Sequence, residues 1–288
     1  MSIPCSRAQG AAIADGADPF VDRDAPPVLV ADEPDDSRPD DWLIHAYFER
    51  RPEDADLALL RSLGTGEPKL VELGEADWVT MSQAGLEPIR AGRFFIHTPT
   101  HAPQPGAVNF EIDAGLAFGT GQHATTAGCL DALDRMERAG ERFTNIADIG
   151  TGTGILAFAA LALWPNARCI ATDIDPIAVD VARDNAAINR IALGHGPGEL
   201  LLAAADGMDS PLIVARAPFD LIIANILAGP LIALAPDFGR ALAPRATLVL
   251  AGLLESQAST VLETYCGFGF EPLDRSSGEW TILAVRSL

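Results

Sequence analysis

The stretch "ADIGTGTGILAFAA", Ala147 to Ala160, decides the fold. A strand-like run ends at Asp148, glycines alternate at Gly150, Gly152 and Gly154, and an apolar run of helical character follows. A glycine turn between strand and helix lets the backbone come closer to a ligand than any Cβ would permit. Such turns hold phosphates in some proteins and adenosyl groups in others. The dinucleotide fingerprint G-x-G-x-x-G/A is met by Gly152, Gly154 and Ala157, but it fails in the frame starting at Gly150, where Ile155 takes the third place. One match of this kind is weak, and a tight turn without a ligand explains it too.

Asp148, directly before the glycines, shifts the balance. A carboxylate there repels an approaching pyrophosphate, yet it accepts hydrogen bonds from an ammonium group. S-adenosylmethionine carries an α-amino group and a sulfonium and has no phosphate.

Outward from this turn, strand and helix patterns alternate from Phe143 onward. The strand candidates are "NIADI", "ARCIATD", "GELLLAAA", "FDLIIANI" and "ATLVLAG", most of them separated by helices. That alternation implies βαβ units and a parallel sheet, hence an α/β fold. The closing "FEPLDRSSGEWTILAVRS" reads as a hairpin about a Ser-Ser-Gly turn, which adds an antiparallel edge. Ligands of doubly wound sheets bind beyond the carboxyl ends of the strands, at the switch point.

The chemistry-bearing residues fall at those ends. Asp173 ends the second strand in "CIATDIDP" and suits both ribose hydroxyls, in a nucleotide as in an adenosyl cofactor. Asp175, just before Pro176, reads as a helix cap. Asp206 ends the third strand; it is placed to meet an adenine amino group, and equally to be an exposed turn aspartate. Asn225 ends the fourth strand in "DLIIANILAGPL". Its amide can accept from an amine nucleophile and orient the lone pair toward a methyl group, but it is no strong base; capping the next helix is the simpler alternative. Upstream, "DAGLAFGTGQHATTAGCL" (Asp113 to Leu130) is a second glycine-rich loop. Phe118, Gly119 and Thr120 are candidates to fold over a cofactor and exclude water, with a hydroxyl of Thr125 or Thr126 bonding it. His123 reads as structural, and His97 and His101 are not a metal pair, because Pro99 lies between them in a loop.

The first 74 residues differ from the rest, with sixteen acidic and seven basic side chains. They read as a small α+β module: strands in "PPVLVADE", "DWLIHAYFE" and "PKLVEL", and a helix in "PEDADLALLRSLG" bounded by Pro52 and Gly64. The first twenty carry little pattern and are a candidate for disorder. A linker is expected over 75–88 and the main domain over 89–288.

A net charge of −20 argues against a broad nucleic-acid footprint and suits a basic partner. Four scattered cysteines read as reduced thiols in a cytoplasmic protein, no signal peptide is visible, and no apolar run is long enough to span a membrane.

Taken in order, these segments resemble the methyltransferases of large-subunit ribosomal protein eleven. The resemblance rests on "DW" at Asp77–Trp78, "GLAFGTGQHATT" at Gly115–Thr126, "DIGTGTGILAFAA", "DIDPIAV", "NILAGPLIALAP" at Asn225–Pro236 and the closing "GEW". It spans residues 75 to 288. It implies a seven-stranded class I methyltransferase sheet, Rossmann-like, with S-adenosyl-L-methionine as cofactor, and a small N-terminal domain that grips the ribosomal protein. It also implies methylation of lysine ε-amines and an N-terminal α-amine, by a monomer acting on free protein. Carried over, the cofactor contacts are Thr126, Gly150, Asp173 and Asn225. A methyltransferase of the same fold acting on another protein lysine, an NAD-dependent dehydrogenase, and a binding module without activity are the alternatives.

Overall fold

The computed structural model describes residues 1–14, 19–20, 26–32, 42–48, 50–71, 88–112, 122–276 and 280–288. The chain forms two compact units, Met1–Glu75 and Ala76–Leu288. The expected linker over 75–88 lies, but for residue 88 and the domain boundary itself, outside the described residues.

In the first unit, β1 (Ser2–Cys5), β2 (Val28–Asp32) and β3 (Trp42–Tyr47) form an antiparallel sheet in the order β1-β3-β2. Helices α1 (Arg7–Ala14) and α2 (Asp54–Leu63) complete it. Ile3, Ile44, Ala46 and Leu60 are fully buried together, so alternate residues of β1 and β3 supply the core. Within the first twenty residues, for which disorder was expected, residues 1–14 contribute a strand and a helix. "PKLVEL" makes no regular strand among its described residues: Lys69 forms only an isolated bridge to Ser2.

In the second unit a three-stranded sheet, β4 (Ile89–Ala91), β5 (Phe94–His97) and β6 (Val108–Glu111), precedes α3 (Gln122–Arg138). The main sheet follows: β7 (Asn145–Ile149), α4 (Ile155–Leu163), β8 (Arg168–Asp173), α5 (Pro176–Ile188), β9 (Leu200–Ala204), α6 (Pro211–Arg216), β10 (Phe219–Asn225), α7 (Ala228–Ala241), β11 (Leu242–Leu254), α8 (Glu255–Gly267), β12 (Phe270–Arg275) and β13 (Trp280–Ser287). Its strand order is β12-β13-β11-β10-β7-β8-β9. The strands from β9 across to β11 run parallel, and β13 pairs antiparallel with both β11 and β12. The expected α/β sheet with an antiparallel carboxyl-terminal hairpin is thus present, although β11 runs well beyond the predicted "ATLVLAG".

The physical reason is plain in β10. Leu221 and Ile223 pack into the core on one face, while Ile222 and Ala224 pack into the core on the other. A strand covered on both faces reads as a continuous apolar run, as parallel strands do. Helix α4 carries the same logic: all its residues except Ala162 are buried, so it is apolar all round. The chain leaves β7 outward through β8 and β9, then returns to β10 on the other side of β7. The switch point lies between β7 and β10.

Candidate functional site

At the carboxyl end of β7 the glycine turn is fixed by its own backbone. Gly150, Gly152 and Gly154 have φ of +74°, +54° and +87°, a region that favours glycine. The amides of Gly150 and Thr151 both donate to the carbonyl of Thr172, at 2.8 and 2.9 Å, which ties the turn to β8. A Cβ on Gly150 would lie 2.2 Å from Cγ2 of Ile226. One on Gly152 would meet nothing within 4 Å, so that glycine faces open space.

Asp173 closes the arrangement from β8. Its Oδ2 accepts from the Gly152 amide at 2.9 Å and its Oδ1 from the Asp175 amide at 3.1 Å. A carboxylate has about four acceptor positions, so ribose hydroxyls can still be accommodated. Asp148 lies beneath the turn, 1% exposed. Its Oδ2 accepts from the Thr151 hydroxyl at 2.7 Å, while Oδ1 is buried and within hydrogen-bond geometry of no donor among the described residues. Burial pushes its pKa up to about 7; the Thr151 hydroxyl and the Ala157 amide, which both donate toward the carboxylate, oppose this and the Asp173 charge adds to it.

This donor set fits S-adenosylmethionine better than a dinucleotide. An orphaned buried acceptor wants a donor such as an ammonium, open space adjoins Gly152, and two carboxylates flank the turn. Among the described residues, none of the hydrogen bonds at the turn comes from Lys or Arg, as a pyrophosphate would favour.

Across the switch point Asn225 is half-buried at the end of β10. Its Nδ2 lies 3.5 Å from Oγ1 of Thr126, a long contact donated from the amide to the hydroxyl. Thr126 comes from the first turn and a half of α3 and is buried. Two residues 99 positions apart are thereby brought together beside the glycine turn. The capping alternative does not apply: the cap of α7 is Leu227, with no side-chain hydrogen bond.

Asp175 does cap α5, its side chain accepting from Ile177 N at 2.9 Å. Asp206 is exposed, in a turn closed by the Asp209 amide on its carbonyl, and among the described residues it meets no other predicted site residue by a hydrogen bond. Phe118, Gly119 and Thr120, and the side chain of His123, lie outside the described residues. Among the described residues no cluster of metal-ligating side chains occurs.

Two contributors escaped the sequence reading. Ile226 packs against Gly150, and Gly252 (φ +81°) lets β11 pass it, since a Cβ there would lie 2.4 Å from the Ile226 carbonyl oxygen. The glycine in "LVLAGLL" was the available signal, a glycine at a strand end.

A family model described as "Ribosomal protein L11 methyltransferase (PrmA)" matches residues 5–287. The match therefore takes in most of the N-terminal unit, which the sequence resemblance did not reach. A ribosomal protein L11 methyltransferase of Brucella suis (strain ATCC 23445 / NCTC 10510) is 45% identical over 224 residues, 77% of this chain and 76% of the relative. The protein of the same name from Chelativorans sp. (strain BNC1) is 46% identical over 226 residues, with the same coverage of each chain. The crystal structure of ribosomal protein L11 methylase from Lactobacillus delbrueckii subsp. bulgaricus matches with a TM-score of 0.59 at 28% identity, covering 70% of this chain and 99% of that one.

Proposed function

The chain belongs to the ribosomal protein L11 methyltransferase family, and from that premise we propose that it methylates amino groups of this ribosomal protein, lysine ε-amines and an N-terminal α-amine. It is an S-adenosyl-L-methionine-dependent methyltransferase of the class I fold. When bound, the cofactor supplies an electrophilic methyl group on a sulfonium.

The chain's own residues then have these parts. The turn at Gly150 and Gly152 receives the methionine portion, and Asp148 Oδ1 accepts from its ammonium. Asp173 accepts from the ribose hydroxyls while holding the turn in place. Asp206, two residues beyond the end of β9, serves the adenine. Thr126 accepts from Asn225 Nδ2, which leaves Asn225 Oδ1 to accept from the incoming amine and direct its lone pair. An amide is no base, so the amine arrives neutral or gives its proton to water. Rate comes chiefly from positioning, because holding two reactants in line supplies a large effective molarity. Phe118, Gly119 and Thr120 cover the bound cofactor.

The N-terminal unit grips the substrate. Its excess of acidic over basic side chains matches a basic ribosomal protein, and opposite fields speed the encounter. We take that partner to be free in the cytoplasm before assembly, and the enzyme to act as a monomer. Among the described residues no helix is long and apolar enough to cross a membrane.

The observation that carries this reading is the amide of Asn225 meeting Thr126 beside a glycine turn whose backbone is held by the Asp173 carboxylate. The test is incubation with methyl-labelled cofactor and a mixture of ribosomal proteins, then peptide mass mapping. Label on amines of the named ribosomal protein is expected. Label confined to another protein would reassign the substrate, and no label on any amine would overturn the activity.

A further inference from the structure

We propose that a second pocket, at the amino-terminal edge of the main sheet, binds a small organic phosphate. The pocket holds about 400 Å³ and is lined by Thr144 and Asn145 at the start of β7, Asn166 and Arg168 before and at the start of β8, and Arg216 at the end of α6. It lies at the opposite end of β7 from the glycine turn, a strand length of roughly 16 Å away.

Its chemistry is unusual for a chain of net charge −20. All three guanidinium nitrogens of Arg216 are buried, and among the described residues no group accepts a hydrogen bond from any of them. Among the described residues, neither Arg216 nor Arg168 forms an ion pair, and the two like charges lie near enough to disfavour each other. Asp220, which meets this rim, is already engaged: Oδ2 accepts from the amide and hydroxyl of Thr144 and Oδ1 from the Asn145 amide. The thiol of Cys169 is held protonated by burial and offers Arg216 no anion.

A buried guanidinium with no acceptor is rare enough in native proteins to require an explanation, and an anion supplies one. The guanidinium fork suits phosphate and carboxylate alike. Asn145 distinguishes them. Its Nδ2 donates to the carbonyls of Arg216 and Pro218, at 2.6 and 2.8 Å, which leaves Oδ1 a buried acceptor with no partner among the described residues. The ligand therefore carries a donor as well as its negative charge. A phosphate monoester provides both on one group, through the P–OH retained near its second ionisation. A carboxylate group alone offers no donor. The volume exceeds what a bare phosphate fills and suits a small molecule such as a sugar phosphate. None of this depends on the methyl-transfer reading.

The test is isothermal titration of the full chain with ribose 5-phosphate, inorganic phosphate and sulfate. Ribose 5-phosphate is expected to bind saturably, one per chain, with inorganic phosphate competing and sulfate binding more weakly. Arg216→Gln is expected to weaken binding by about tenfold or more, since it removes charge-assisted hydrogen bonds. Arg168 is exposed, so Arg168→Gln keeps the fold and is expected to weaken binding severalfold. Unchanged affinity for S-adenosylhomocysteine in both variants verifies folding. No saturable phosphate binding by the wild type, or binding that survives both substitutions, overturns the proposal; sulfate binding as tightly as phosphate overturns the choice of a phosphate.

Discussion

Asp148→Asn is the most informative single change at the cofactor turn. In the wild-type protein burial holds the Asp148 carboxyl near pKa 7, so it is mostly neutral at pH 6 and mostly charged at pH 8. A ligand ammonium at Oδ1 favours the charged form, so binding below pH 7 must first expel a proton. With a pKa of about 7 the ionised fraction falls about tenfold from pH 8 to pH 6, and the affinity for S-adenosylhomocysteine is expected to fall by about the same factor. Equilibrium dialysis at pH 6, 7 and 8 measures it. The asparagine variant should bind more weakly at pH 8 and lose the slope; comparing the two proteins cancels titration of the ligand's own amine. A flat wild-type profile, or the same slope in the variant, would refute the pairing of Asp148 with a cation.

The same group sets a stability trend of known sign. Its folded pKa lies above the unfolded value, so the native state holds the extra proton, and stability declines as pH rises from about 4 to about 7, by an amount on the order of 4 kcal/mol. Denaturant unfolding of the ligand-free protein across that window should show this component in the wild type and not in Asp148→Asn.

Four further substitutions have outcomes set by the geometry. Asn225→Ala should lower kcat by about a hundredfold, the scale of a lost positioning contact, while Tm moves little; equal loss of both would make Asn225 structural. Gly150→Ala should cost about 1–2 kcal/mol for the left-handed backbone plus a clash with Ile226, and Ile226→Ala should relieve the clash part. Gly252→Ala meets the Ile226 backbone instead, so the same second change should give no relief, as a double-mutant cycle in urea can measure. Tyr265→Phe should destabilise by about 1 kcal/mol, because its buried hydroxyl donates to the Leu231 carbonyl at 2.8 Å.

The main sheet was legible because its physics is local to each strand. A run such as Leu221 to Ala224 is apolar throughout since both faces are covered, and three alternating glycines announce a backbone that other residues avoid. Strand β1 and helix α1 were not legible. "SIPC" is short, and "RAQGAAIA" has small residues and little amphipathic contrast; the strand exists through its pairing with β3, far along the chain. At the site, Asp173 and Asn225 could be placed at strand ends from periodicity alone, but their partners could not. That Asn225 meets Thr126 rather than capping α7 depends on where α3 lies against β10. The depth of Asp148 has the same origin: α4 and α3 bury it, and nothing within "ADIG" announces that. Gly252 is required only because β10 exits against it.

The bonds that fix the glycine turn are all made within the protein. Thr172 holds Gly150 and Thr151, Asp173 holds Gly152, and Thr151 holds Gly154, so the shape is set before any ligand arrives. A cofactor meeting such a surface orders little backbone, and its affinity is not diminished by the entropy of assembling its own cradle. Each turnover exchanges a spent cofactor for a fresh one, and a seat that persists between the two lets that exchange proceed without the turn having to refold.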